Sequence, residues 1–439
     1  MSQVQQKTVA ITTLGCKVNQ YESASFASAF AAQGVLAVPF GGAADIYVIN
    51  SCAVTAKAGA QSRQLIRRAL RANPGARVVV TGCYAQVAAQ EVLDLAETPI
   101  CLVGNENKHL LVEIALSRKM CDQEVFLGDI GDKKEICPLP VRRFAGRTRA
   151  YLKIEDGCNN FCSYCIVPYA RGRVRSLPPE RVRQQVAVFV AEGYRELVLT
   201  GIHVGMYGQD LQPRTSLLAL VRALAVEGHG LRYRISSLEP GEVSAELLAV
   251  MAASPQFMPH LHLPLQSGSP AVLERMRRRY TVAQFVQAVE AIGRALPQAA
   301  IGLDVLTGFP GETEAEFGET VALIEALPIS YLHVFPYSKR PGTPAAEMPD
   351  QLPGAVKEAR AARLTALGQR KRLDFYGRQL GSEQQVLVEG GEQRLTLMKG
   401  FTENYVPVSF AAPAALANQV VSVVIERLEG GKVFGRLAG

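Results

Sequence analysis

Three cysteines fall close together in Gly157-Cys158-Asn159-Asn160-Phe161-Cys162-Ser163-Tyr164-Cys165. This C-x3-C-x2-C run limits the chain more than any other feature in it. Three thiolates can hold three corners of a 4Fe–4S cube, which takes four when fully ligated. No Cys or His lies between Cys165 and His203, so the fourth iron stays open locally. An open iron is a place for chemistry rather than for electron storage alone. The alternatives are zinc and unrelated buried thiols. Structural zinc takes four protein ligands, often as two paired motifs, and no second pair lies nearby. S-adenosylmethionine suits the open iron, because its amino and carboxylate groups can fill the vacant position. Radical chemistry then belongs to the cofactor, while the protein supplies binding and orientation.

At 439 residues the chain exceeds one ordinary core, and two or three domains are expected. A 48% hydrophobic and 20% charged composition is that of a soluble globular protein. No apolar stretch reaches the ~18 residues of a membrane span. Leu14-Gly15-Cys16 resembles the end of a lipoprotein signal, but the stretch before it is short and broken by Thr8, Thr12 and Thr13. A signal needs a longer apolar region. Nine cysteines without such a signal point to a reducing, cytoplasmic location and to metal binding, not to a disulfide framework.

The net charge of +7 is compatible with a nucleic-acid partner. Basic residues cluster at Arg63, Arg67, Arg68 and Arg71; at Arg142, Arg143, Arg147 and Arg149; at Arg171, Arg173 and Arg175; at Arg275, Arg277, Arg278 and Arg279; and at Arg370, Lys371 and Arg372. Many such runs are solvated helix faces. The preference for Arg favours phosphate contact, since the guanidinium fork matches phosphate geometry. Arg278 and Arg279 are taken as candidate substrate contacts.

Residues 1–120 alternate strand-like and helix-like runs. Thr8–Thr13, Asp45–Asn50 and Arg77–Gly82 read as strands; Gln20–Gln33, Thr55–Ala72 and Gln86–Ala96 read as helices. The alternation predicts an open parallel α/β sheet. Cys16, Cys52 and Cys83 each follow one of the three strands. Strand ends of a parallel sheet share one edge, where ligands of open α/β sheets bind. A second three-thiolate site follows from that topology, the alternative being three separate buried cysteines. Cys101 reads as core, and Cys121 and Cys137 fall in a linker over 121–147 marked by Gly128, Gly131, Pro138 and Pro140.

From 148 to 370 six more strands are expected, at Ala150–Glu155, Glu196–Gly201, Arg232–Ser237, His260–Leu265, Ala300–Gly308 and Tyr331–Tyr337, with helices such as Glu180–Glu192 and Thr281–Ala295 between them. Six strand–helix units make a partial (β/α)6 barrel, open on one side, with the active site at the C-terminal strand ends. The Cys158 triplet follows the first of these strands. By the same placement Gly201, Gln266, Asp304 and Glu312 are candidate S-adenosylmethionine contacts, with turn geometry and structural amides as the competing readings. His260 and His262 share one strand face, and a satisfied buried histidine is the simpler reading of both. Gly308–Gly311 is at best a weak phosphate cradle.

The tail, 375–439, holds five short strand-like runs, at Gln384–Glu389, Thr396–Lys399, Tyr405–Phe410, Gln419–Glu426 and Lys432–Leu437. They predict a small β-barrel, a type that often binds oligonucleotides. From Gly381 on there are five Lys or Arg and six Asp or Glu, so the barrel is not strongly basic, which argues against a phosphate-only grip by it alone. Phe401 and Tyr405 either stack on bases or fill the barrel.

The Cys158 triplet, with aromatic Tyr164 just before its last cysteine, resembles the radical S-adenosylmethionine signature. With both cysteine sets and three segments placed, nearly the whole chain resembles the radical S-adenosylmethionine methylthiotransferase family, whose tail is an RNA-binding TRAM barrel. Thr13-Leu14-Gly15-Cys16-Lys17-Val18-Asn19-Gln20-Tyr21-Glu22-Ser23 and Arg234-Ile235-Ser236-Ser237-Leu238-Glu239-Pro240 look most like the branch that modifies N6-threonylcarbamoyladenosine in tRNA. His262-Leu263-Pro264-Leu265-Gln266-Ser267-Gly268 and Gly308-Phe309-Pro310-Gly311-Glu312-Thr313 resemble the family at large. The resemblance implies two 4Fe–4S clusters and S-adenosylmethionine, with Tyr164 as a further cofactor contact. It implies that a 5′-deoxyadenosyl radical from the Cys158 cluster takes hydrogen from C2 of the adenine at position 37. The Cys16 cluster then delivers a methylthio group there. The implied partners are the tRNA anticodon stem-loop, an electron donor and a sulfur source, with no membrane. Related substrates are isopentenyl-adenosine in tRNA and a ribosomal-protein aspartate. A reading of another class is a non-enzymatic iron–sulfur RNA-binding protein.

Overall fold

The computed structural model describes residues 6–95, 97–117, 122–392 and 397–438. The N-terminal sheet has six parallel strands in the order Leu36–Ala37, Thr8–Thr13, Ile46–Ser51, Arg77–Gly82, Ile100–Val103 and Glu124–Phe126. Strands 46–51 and 77–82 are Val- and Ile-rich and buried on both faces, as parallel strands between helices must be. The sheet reaches past residue 120, because Glu124–Phe126 pairs with Ile100–Val103.

Two helix starts differ from the sequence expectation, and both carry a cysteine. The first helix begins at Lys17, with Cys16 as its N-cap. The expected helix 86–96 is instead two short helices, Cys83–Val87 and Ala89–Leu93. Gly82 turns the chain at φ +95°, and a Cβ there would lie 2.3 Å from the Ser51 carbonyl oxygen. Only glycine allows that approach, and the helix therefore starts directly at Cys83.

The six expected barrel strands form as two three-stranded parallel sheets. The first is ordered Arg232–Ile235, Glu196–Thr200, Arg149–Lys153, and the second His260–Gln266, Ala300–Thr307, Tyr331–Pro336. A bridge between Tyr233 and Phe257 joins them into one curved wall, open on the other side. Helices such as Val282–Ala295 and Glu314–Ala326 cover it, each opened by a reciprocal capping box, Thr281 with Gln284 and Thr313 with Glu316.

The segment 127–147 has no helix or strand, yet it is not a loose connection. Cys137, Leu139, Val141 and Phe144 are buried in one core continuous with the sheet domain and the barrel. Phe144 packs edge-on to Tyr151 and Tyr194 and against Phe189. Cys121 lies outside the described residues.

Helix Gly354–Gly377 leads to the tail, where five strands close into a barrel around Val386, Val408, Phe410, Val423 and Ile425. The expected strand 396–399 is described from Leu397 and runs to Phe401. No described helix is long and apolar enough to cross a membrane.

Candidate active site

Strand ends bring Cys16, Cys52 and Cys83 to one edge of the N-terminal sheet. Gly15 packs so tightly on Cys52 that an added Cβ would lie 3.0 Å from its Sγ. Asn19 ties the loops together: its Nδ2 donates to the Leu14 carbonyl at 2.7 Å and the Ser51 carbonyl at 3.0 Å. Cys52 and Cys83 are buried and Cys16 is exposed. Burial first, and then the neighbouring Cys83, push the Cys52 thiol up to about 11.

The second set sits in the loop after strand Arg149–Lys153. Gly157 has φ +89°, and a Cβ there would be 2.0 Å from the Arg173 carbonyl oxygen. This close crossing fixes where Cys158 starts. Phe161 takes φ +48°, uncommon for a side chain of its size, which tightens the turn between Cys158 and Cys162. Ser163 N donates to the Met276 carbonyl at 3.0 Å, anchoring the loop to the barrel wall. Burial first, and then Cys162, push the Cys165 thiol up to about 12.

Each set supplies three thiols of the kind that an iron–sulfur centre takes. Crowded, buried thiols resist ionising together, and a multivalent metal centre removes that cost. Zinc–sulfur bonds of about 2.3 Å would draw the ligand atoms within about 4 Å of one another. Among the described residues neither cysteine set has its ligand atoms all within 4.8 Å; the group that does is His262, Asp304 and His333.

Arg278 does not present itself for phosphate contact. Its side chain is buried, donating to Cys162 Sγ at 3.2 Å and to Glu239 at 2.5 and 2.6 Å. Arg279 is exposed, and its Nη2 donates to the Asn159 carbonyl inside the cysteine loop at 2.9 Å. Arg171 and Arg175, also in the basic runs, are buried. Arg67, Arg68 and Arg71 remain exposed on helix Ala56–Ala72.

Gly201 lies where a Cβ would meet Glu155 Oε2 at 2.5 Å, so its role is to admit that carboxyl group. Burial pushes the Glu155 carboxyl up to about 8, although it accepts from His203 N at 2.6 Å. Its Oε1 is buried and, among the described residues, has no hydrogen-bond partner. Sequence reasoning missed His203. Its Nδ1 lies 3.5 Å from Cys158 Sγ, and its Nε2 pairs with Glu242 at 2.6 Å. Burial opposes its proton, but the bonds to Cys158 and Glu242 push it up to about 10. A lone histidine carries no spacing signal, so only the fold places it there.

Gln266 sits at a bulge with φ +60°. Tyr164 packs beside Val272, Met276 and Phe309. Asp304 pairs with His262 at 2.9 Å and His333 at 3.2 Å. Burial opposes its charge, but those two histidines hold it below the usual carboxylate range. His260 Nε2 meets Tyr331 OH at 2.8 Å. Glu312 is structural: its carboxylate accepts from Gly308 N at 2.7 Å, so that it takes the N–H of the loop read as a weak phosphate cradle, and from Arg360 at 2.7 Å.

Phe401 and Tyr405 neither face outward nor fill the small barrel. They stack at 4.8 Å and plug the radical barrel, with Arg149 4.6 Å over Phe401, Arg234 4.7 Å over Tyr405, and His260 4.7 Å from Tyr405. Above this plug lies a cavity of about 760 Å³ where the three parts of the chain meet. Cys16 and Lys17 bound it on one side, Gly201 and Ser237 at the strand ends, and Asp304 and His333 on the wall.

Residues 152–324 match the Radical SAM superfamily, and residues 8–104 match Uncharacterized protein family UPF0004. The chain is 40% identical to threonylcarbamoyladenosine tRNA methylthiotransferase MtaB of Bacillus subtilis (strain 168), over 95% of this chain and 93% of that protein. It is 36% identical to tRNA-2-methylthio-N(6)-dimethylallyladenosine synthase of Acidothermus cellulolyticus, over 95% of this chain and 86% of that protein. Among solved structures, the radical S-adenosylmethionine methyltransferase TsrM of Kitasatospora setae shares the fold, with TM-score 0.57, 16% identity and 78% and 77% of the two chains covered. The chain belongs to the radical S-adenosylmethionine methylthiotransferase family.

Proposed function

We propose that this protein adds a methylthio group to C2 of N6-threonylcarbamoyladenosine at position 37 of tRNA. The observation that carries the reading is the placement of two separate three-cysteine sets at strand ends, one in the N-terminal sheet and one in the barrel, with Cys16 of the first set lining a cavity shared by all three parts of the chain. The 40% identity to a threonylcarbamoyladenosine tRNA methylthiotransferase supports the choice of substrate.

Cys158, Cys162 and Cys165 would hold one 4Fe–4S cluster, and Cys16, Cys52 and Cys83 a second. When bound, the first cluster with S-adenosylmethionine supplies the one-electron chemistry that an unactivated aromatic C–H bond demands, and the second supplies the sulfur. The chain's own residues do the rest. Arg278 donates to Cys162 Sγ and is held there by Glu239, which stabilises thiolate charge and fixes the loop. Asn160 N donates toward Cys158 Sγ at 3.5 Å. The polar cavity wall orients the nucleoside, and the Phe401–Tyr405 plug excludes water from the strand interior.

The test is nucleoside mass spectrometry of tRNA from a deletion strain with and without this chain. Return of the methylthio form of threonylcarbamoyladenosine is expected. Return of only the methylthio form of dimethylallyladenosine would move the protein to the other tRNA branch. In vitro, anaerobically reconstituted protein should form 5′-deoxyadenosine; none at all would leave a non-enzymatic iron–sulfur RNA-binding protein. Replacing Cys16, Cys52 and Cys83 with Ala should abolish thiomethylation and leave 5′-deoxyadenosine formation measurable.

A further inference from the structure

The shared cavity has an unusual charge balance. Asp304 is its one lining carboxylate, and that group is already held by His262 and His333. Three cations line the same space: Lys17, Arg234 and Arg372. Arg234 is committed, buried against Glu196 at 2.7 Å and the Thr402 and Glu403 carbonyls. Lys17 and Arg372 are exposed to the cavity, and among the described residues neither makes a hydrogen bond or ion pair. Neither a bare adenine nor a dimethylallyl group offers two unpaired cations a partner, whereas an anionic substituent does.

We propose that Lys17 reads the carboxylate of the threonylcarbamoyl group, with Arg372 a further cation in the lining of the same cavity. This inference rests on the substrate proposed above. C2 and C6, which carries N6, flank N1 on one edge of adenine, so a substituent on N6 lies on the same edge as whatever attacks C2. Lys17 directly follows Cys16, one of the three cysteines assigned to sulfur delivery. The cation therefore stands on the side where the N6 substituent arrives. The ammonium, with three freely rotating donors, can follow a flexible threonyl arm. Lys17 would thus select among modified adenosines while the cysteines carry the chemistry.

The test is binding of anticodon stem-loop RNAs to full-length, anaerobically reconstituted protein, without S-adenosylmethionine, so that its own carboxylate cannot stand in. The RNAs differ only at position 37: adenosine, threonylcarbamoyladenosine, its methyl ester, and dimethylallyladenosine. All carry the same phosphates, so any difference belongs to the substituent. Wild type should prefer the free acid over the ester by about 10-fold or more, as a charge-assisted contact allows. Lys17→Gln should erase that preference, read as the ratio of acid to ester affinity, and Lys17→Arg should keep most of it. Arg372→Gln should reduce it in part. If wild type prefers the acid and Lys17→Gln retains the full preference, the assignment to Lys17 is wrong and the substrate stands. If wild type prefers the dimethylallyl RNA, the proposed substrate itself fails.

Discussion

Arg171 Nη2 donates to Asn19 Oδ1 at 2.5 Å, across the boundary between the N-terminal sheet and the barrel. The same guanidinium bonds Glu22 at 3.0 Å and Asp156 at 2.9 Å. Asn19 holds the Cys16 and Cys52 loops together, and Asp156 lies two residues before Cys158. One buried side chain is therefore mechanically linked to both cysteine sites. Lys108 pairs with Glu22, and Lys153 with Asp156 at 3.1 Å. Three cations against two carboxylates leave one positive charge in excess; burial raises the Cys83 thiol, and Arg171 and Lys108 oppose that rise.

Replacing Arg171 with Met should therefore cost stability and metal together. Breaking a buried charge network leaves partners unpaired at a cost of about 3–5 kcal/mol. Urea unfolding should show that loss, and iron per chain should fall at both sites. A variant as stable as wild type, with full iron, would contradict the linkage.

Gly82→Ala and Gly157→Ala should separate the two sites. The added Cβ at Gly82 meets the Ser51 carbonyl oxygen at 2.3 Å, and at Gly157 the Arg173 carbonyl oxygen at 2.0 Å, both at positive φ. Each should cost about 2 kcal/mol or more from strain. Gly82→Ala should lower iron only at the Cys16/Cys52/Cys83 site, and Gly157→Ala only at the Cys158 site. Spectra of variants that also lack the other cysteine set would check this.

Glu155 gives a pH signature. Its folded carboxyl sits at about 8, above the ordinary value of about 4.3. The folded state keeps a proton that the unfolded chain releases. Its contribution is full below about pH 4 and is lost as pH rises through about 8. Glu155→Gln removes that slope, so the variant should gain on wild type as urea midpoints are followed from about pH 5 to about pH 8. A constant difference across that range would show that Glu155 is already ionised in the fold.

Tyr405→Ala should loosen the small barrel from the radical domain. The ring engages Arg149, Arg234 and His260 at once. A loss of about 2–4 kcal/mol is expected for truncating a packed aromatic. Hydrogen exchange should rise in strands His260–Gln266 and Leu397–Phe401; unchanged exchange would deny the plug.

Strands and triplets were readable along the chain because each depends on neighbours in sequence. Val78, Val79 and Val80 between turn residues mark a buried strand, and Thr281 with Gln284 marks a helix start. The buried partners of Arg278 and Arg171 were not readable, for the opposite reason. An arginine run looks alike whether it faces solvent or a carboxylate that folding brings in, such as Glu239 or Glu22. Helix 86–96 was misplaced because Gly82's close approach to Ser51 is a contact between strands. His203 had no local signal.

By itself the sequence determined the order of three folded parts and the six cysteines that follow strands, since strand periodicity and thiol spacing are local properties. Tertiary structure alone decided what those parts share. The cavity exists because the Cys16 turn, the barrel wall and the Phe401–Tyr405 plug converge on one volume. The charge left unpaired there, Lys17 and Arg372, is defined only once Arg234, the third cation of the cavity, has found its partners.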